Sequence, residues 1–137
     1  MKYLGLDLGS RTLGVAVSTS GIYASGLKVI RHNEEYDRLI NEVKALVDEY
    51  KIDVIVLGLP KNMNNSIGEK GNLSISFKEK LEKATGKEVV LEDERLTTVI
   101  ATNSLISTDN SRKKRKKVVD SVAATIILQS YLDRINR

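Results

Sequence analysis

The chain contains no cysteine, which excludes disulfides, thiolate metal sites and cysteine nucleophiles. Histidine occurs once, at His32. A histidine-rich zinc site is therefore excluded, and a serine–histidine triad survives only if His32 alone serves it. The position of His32 at the end of a β-prone run points to a surface residue. Tryptophan is absent and aromatic residues make up only 4%, leaving no obvious platform on which single-stranded bases could stack. No apolar run approaches membrane-spanning length, and the N-terminus lacks a basic region followed by a long apolar stretch. The expectation is a cytoplasmic protein with no membrane partner.

What remains is enough for a fold. The 137 residues, 41% of them hydrophobic, suit one globular domain spanning 1–137. Lys and Arg number 22 against 18 acids, and six of those bases are consecutive from Arg112 to Lys117. Without that run, 16 bases face 18 acids, so the positive charge is one concentrated patch on a mildly acidic protein. Like charges packed so tightly repel one another and favour an exposed, mobile segment, here 109–117. A solvated linker is the ordinary reading of such a run. A polyanion partner accounts for it better, because phosphates offset the repulsion and binding releases counterions.

Two β-prone runs, Tyr3 to Leu8 and Leu13 to Val17, flank a polar turn and predict a β-hairpin. A third run covers Ala24 to Ile30. Apolar residues at Tyr36, Leu39, Ile40, Val43, Leu46, Val47 and Tyr50 predict an amphipathic helix capped by Asn33. The unbroken run Asp53 to Leu57 reads as a buried central strand, and 60–71 as a loop. Leu73, Ile75, Phe77, Leu81 and Ala84 suggest a second helix, and 88–92 a fifth strand. A third helix is expected from Thr97 or Thr98 to about Ile106, and a last one through Val118, Val122, Ala123, Ile126, Leu128, Tyr131, Leu132 and Ile135. This order predicts an α/β fold. Its five-stranded mixed sheet would have three antiparallel and two parallel strands, flanked by helices on both faces.

Asp7 is the residue out of place. It stands inside an apolar strand, where an ion is costly unless something pairs with it. Either Arg11 pairs with it across the turn, or Asp7 is kept for a metal ion or a substrate. Glu94, with Glu92 and Asp93 as competitors, follows the fifth strand. Asp120 shares a helix face with Ala123, Ala124 and Ile127, small enough at two positions for close approach to the sheet. Each acid has an ordinary explanation as a cap, a dipole partner or a solvated turn. Convergence of three carboxylates from separate elements would favour Mg²⁺ or Mn²⁺, two of which can clamp an in-line phosphodiester displacement. The basic run directly before Asp120 opposes the helix dipole, a local conflict that suggests function rather than stability.

Four blocks now carry a resemblance. They are Gly5-Leu-Asp7-Leu-Gly9-Ser-Arg11-Thr-Leu-Gly14-Val-Ala-Val-Ser18, Gly58-Leu-Pro60-Lys-Asn62-Met63, Asp93-Glu94-Arg95-Leu-Thr97-Thr98, and Val119-Asp120-Ser-Val-Ala123-Ala124 with Ile127-Leu-Gln129-Ser-Tyr131-Leu132. In this order they resemble the YqgF/RuvX family, described as Holliday-junction resolvases or nucleases of small-subunit ribosomal RNA precursors. The resemblance covers nearly the whole chain and implies an RNase H-like fold. It also implies Asp7, Glu94 and Asp120 as catalytic, metal-binding acids for two Mg²⁺ or Mn²⁺ ions. Substrate contacts would come from Gly9, Arg11, Asn62, Arg95, Lys113, Arg115 and Lys116. Two departures stand out: Thr19 follows Ser18 where relatives carry an Asp, and the loop after Met63 reads Asn64-Asn65-Ser66-Ile67-Gly68 where relatives carry an acid and a Gly-Thr pair.

The expected substrate is structured RNA, namely the 5′ end of pre-16S ribosomal RNA, with ribosome association and a monomer or weak homodimer. Branched DNA is the alternative, and its symmetrical cutting would need a stable dimer. The Asp-x-Gly turn also resembles the phosphate cradle of sugar kinases, actin-like proteins and chaperone ATPases. Those proteins close two such domains on a nucleotide, and this chain supplies one. A non-catalytic nucleic-acid-binding module is the third reading.

Overall fold

Alternation of apolar residues along Tyr3–Leu8 and their recurrence every three or four positions in Tyr36–Tyr50 generate two layers around one sheet. The computed structural model describes residues 1–9, 11–59, 69–93 and 112–136. Strands β1 (Tyr3–Leu8), β2 (Thr12–Ser18) and β3 (Ser25–Arg31) form an antiparallel meander. Helix α1 (Tyr36–Tyr50) returns the chain to β4 (Val54–Leu59), parallel to β1, and α2 (Glu69–Thr85) leads to β5 (Glu88–Asp93), parallel to β4. The last described element is α3 (Arg112–Ile135). The order β3-β2-β1-β4-β5 puts β1 in the centre, and β4, expected as a buried central strand, lies beside it and is buried along its whole length.

The two faces bury different sets. Leu4, Leu6, Leu13, Val15, Ile55 and Leu57 pack with Leu39, Val43, Phe77 and Leu81 under α1 and α2. Tyr3, Ala16, Val54 and Val56 pack with Ala124, Ile127, Leu128 and Leu132 of α3 on the other face.

Local expectations fare unevenly. Asn33 does not cap α1: Glu35 holds that position without a side-chain cap bond, while Asn33 Oδ1 is taken by the Arg11 guanidinium. The buried stripe of α2 runs through Ser74, Phe77 and Leu81, leaving Leu73 and Ile75 half-buried on its flanks. Helix α2 begins by Glu69, inside the segment expected as loop. On α3, Ile127 is buried, Ile126 half-buried and Ile135 exposed. Helix α3 also begins at Arg112, so the basic run forms its first turns instead of preceding it. Lys and Arg are good helix formers, and their propensity prevails over mutual repulsion and an unfavourable dipole. Residues 60–68, the helix expected at 97–106 and the start of the basic segment at 109–111 lie outside the described residues.

Candidate active site

Side chains alternate along a strand. With Leu4 and Leu6 facing α1 and α2, and Tyr3 and Gly5 facing α3, Asp7 falls on the α3 side, half-buried at the carboxyl end of the central strand. Carboxyl ends of parallel strands are the usual site of chemistry in open α/β sheets. The row Leu6–Leu57–Leu91 runs across β1, β4 and β5, so the next row reads Asp7, Gly58, Glu92. Gly58 is buried and puts no side chain between the two acids.

Helix α3 is brought to this row by a glycine that sequence reading passed over. A methyl group on Gly5 would lie 2.7 Å from Leu128 Cβ and 3.1 Å from the Ala124 carbonyl. The absence of a side chain there lets the helix backbone reach the sheet, with Ala123 and Ala124 buried at the contact. Its signal was present: a glycine inside an apolar strand marks close backbone approach. Tyr3 and Tyr131 meet at 5.9 Å between ring centroids, so α3 runs antiparallel to β1. Asp120 precedes Ala124 by one helical turn, about 6 Å of rise. Asp7 lies two strand residues beyond Gly5, about 6.6 Å. From the Gly5 contact, Asp120 thus lies toward the N-terminal end of α3 and Asp7 toward the carboxyl end of β1, the same direction along the antiparallel pair.

The competing acids separate. Glu92 faces α3 and is committed to Arg134: Nη1 donates to Oε1 at 3.1 Å and Nη2 lies 2.9 Å from Oε2. The Glu92 side chain is only 8% exposed, and Oε2 has the ion pair but no hydrogen bond of good geometry. Burial pushes the Glu92 carboxyl above the usual glutamate range, with Arg134 pulling the other way and Asp93 adding to the rise. A raised folded-state pKa means the folded protein holds more protons, so stability is lost as pH rises through that raised value. Arg134→Ala should strengthen this dependence and cost about 1–2 kcal/mol near neutral pH, less than a fully buried pair because Arg134 is half-exposed. Thermal melts of both proteins across the acid-to-neutral range check it. Asp93, level with Leu59, falls by alternation on the α1–α2 side. Glu94, Arg95 and Asn62 lie outside the described residues. Asp120, Lys113, Arg115 and Lys116 are placed by the backbone of α3.

The turn after Asp7 is held internally. Gly9 N–H donates to the Thr12 carbonyl at 2.8 Å. A Cβ at Gly9 would meet Thr12 O and Oγ1, both at 3.2 Å. His32, expected at the surface, is buried at 6% exposure. Its Nδ1 accepts from Glu34 N–H at 3.0 Å and its Nε2 bonds the Gly9 carbonyl at 2.9 Å. Both ring nitrogens are spoken for by backbone, so His32 is not a metal ligand. The donor chemistry left to the site is carboxylate oxygen, which fits a hard divalent cation such as Mg²⁺ or Mn²⁺. Among the described residues no group of three His, Cys, Asp or Glu gathers for a metal.

Residues 1–134 match the RuvX family, described as Holliday junction resolvase. The chain belongs to the RuvX family. A protein of Clostridium beijerinckii named "Putative pre-16S rRNA nuclease" is 52% identical, covering 100% of this chain and 99% of its own length. A protein of the same name from Bacillus subtilis is 51% identical over 99% of this chain and all of its own. Among solved structures, RuvC of Thermus thermophilus in complex with a Holliday junction substrate superposes with a TM-score of 0.61 at 13% identity, covering 98% of this chain and 96% of that one. That likeness establishes a shared RNase H-like fold. The sheet order and the helix on its Asp7 face are therefore features of a RuvX chain built on that fold.

Proposed function

We propose that this chain is a divalent-metal-dependent nuclease that processes the 5′ end of pre-16S ribosomal RNA. The observation that supports the reading is Asp7 half-buried on the α3 face at the carboxyl end of the central strand, with α3 seated against that strand at Gly5. Asp7, Glu94 and Asp120 hold two Mg²⁺ or Mn²⁺ ions, which when bound supply charge neutralisation for the attacking and leaving oxygens of a phosphodiester. Asp7, on the most constrained element, fixes the position against which the other two acids are set. Lys113, Arg115 and Lys116 in the first turns of α3, with Arg11 at the end of the β1–β2 turn, grip the polyanion. Arg95 and Asn62 contribute further contacts to phosphate, sugar or base edges. Gly9 contributes a turn without a side chain, since its own N–H is already bonded to Thr12. The setting is cytoplasmic and ribosome-associated, with a monomer or weak homodimer sufficient for trimming one strand. Among the described residues no helix is long and apolar enough to cross a membrane.

Whole-chain relatives at about half identity support RNA over DNA through their name. Junction resolution is the second reading, favoured by the family description. Incubating precursor ribosomal RNA and four-way junction DNA side by side with Mg²⁺ and Mn²⁺ separates the two. Metal-dependent cutting of the RNA is expected, and symmetrical cutting of the junction alone would replace the first reading with the second. Replacing Lys113, Arg115 and Lys116 by Gln should weaken binding and reduce the slope of log K against log salt by about 2 to 3. Titration by fluorescence anisotropy at several salt concentrations measures it.

A further inference from the structure

We propose that His32 is a positioning residue that locks the turn following Asp7, an inference that rests on the nuclease reading above. The buried ring joins two backbone segments from opposite sides. Glu34 N–H donates to Nδ1 at 3.0 Å, so that nitrogen carries no proton. The proton must then sit on Nε2, which donates to the Gly9 carbonyl at 2.9 Å. A third bond runs alongside, from His32 N–H to the Arg11 carbonyl at 2.9 Å. Gly9 is thereby held at both ends, by His32 on its carbonyl and by Thr12 on its N–H. On either side of the turn, Gly9 and Arg11 are thus each tied by hydrogen bonds to His32.

The lock is anchored in the helical layer. The His32 ring lies 5.8 Å from that of Tyr36, which meets Phe77 of α2 edge-on at 6.4 Å. Asp7 is thus braced from the α1–α2 side while α3 approaches from the other. The chain accepts strain to build this brace. Glu34 adopts φ 67°, a left-handed conformation that a glutamate rarely takes, and in doing so aims its N–H at Nδ1. The same connection orients Arg11, whose guanidinium donates to Asn33 Oδ1 while the Asn33 N–H donates to Glu35. A shift of this loop would move both the Asp7 carboxylate and Arg11, and small misplacement of catalytic groups is expensive in rate.

Two variants separate the hydrogen bond from the volume it occupies. His32→Leu fills the space without bonding, whereas His32→Gln keeps an N–H able to reach the Gly9 carbonyl. In His32→Leu, kcat for RNA cleavage should fall at least about tenfold with KM little changed. Exchange of the Gly9 amide should accelerate, and His32→Gln should restore most of both. Equal behaviour of the two variants, or a Gly9 amide as protected in His32→Leu as in the wild type, overturns the proposal. A wild-type protein that binds RNA but cleaves nothing overturns the nuclease reading and the positioning role with it, and Gly9 exchange then judges the lock alone. Nitrogen-15 spectra of the ring should show the Nε2-protonated tautomer, and the opposite tautomer would contradict the geometry.

Discussion

Asp7→Asn should abolish metal-dependent cleavage while the protein stays folded and still binds nucleic acid. Asparagine matches aspartate in size and keeps one oxygen, so packing beside Gly5 and Gly58 is preserved. It removes the charge with which, on the proposed reading, Asp7 would hold a divalent cation. Loss of one such carboxylate should lower kcat by at least about a thousandfold, the scale on which preorganised charge stabilisation acts. Stability should change little, because the substitution is isosteric and the side chain is only half-buried. Single-turnover cleavage, thermal melts and gel-shift titration on the same preparations check the three parts. An Asp7→Asn protein that melts lower yet cleaves at the wild-type rate would reduce Asp7 to a structural ion-pair partner.

Gly5→Val should be the most damaging substitution outside the acids. A Cβ at this position already lies 2.7 Å from Leu128 Cβ, closer than real carbon contacts come, and valine adds two methyls to it. The nearest atoms include the Ala124 carbonyl at 3.1 Å, which cannot rotate away. Helix α3 must therefore lift from the sheet, at a cost of about 3 kcal/mol from overpacking of a filled core. The effect reaches function because the same helix carries Asp120. Cleavage measured well below the melting temperature should fall by more than the unfolded fraction explains, and Gly5→Ala should show a milder version of both losses. Denaturant unfolding combined with cleavage at low temperature measures them. Unaltered stability in Gly5→Val would mean that α3 does not depend on Gly5 for its seat.

Much of the architecture was legible because its signals were local. The alternation in β1, the 3–4 spacing in α1 and the unbroken apolar run of β4 each state their own period. What escaped reading was set by neighbours distant in sequence. Asn33 is a good capping residue by type, yet Arg11 claims its side chain from 22 residues away. His32 lies at a strand end, where exposure is usual, and is buried because the β1–β2 turn folds over it. The basic run was read by charge, and helix propensity decided its backbone instead. Among the acids, Asp7 announced itself by its apolar surroundings. Glu92 and Asp93 could not be told apart from sequence, since their separation depends on β5 register and on Arg134 at the far end of α3.

Crystals grown or soaked with Mn²⁺ and measured at its absorption edge test the central claim most directly. The account predicts anomalous density within coordination distance of the Asp7, Glu94 and Asp120 carboxylates, at the edge where β1, β4 and β5 end beside α3. Manganese bound only elsewhere, with those three carboxylates turned apart, would contradict it.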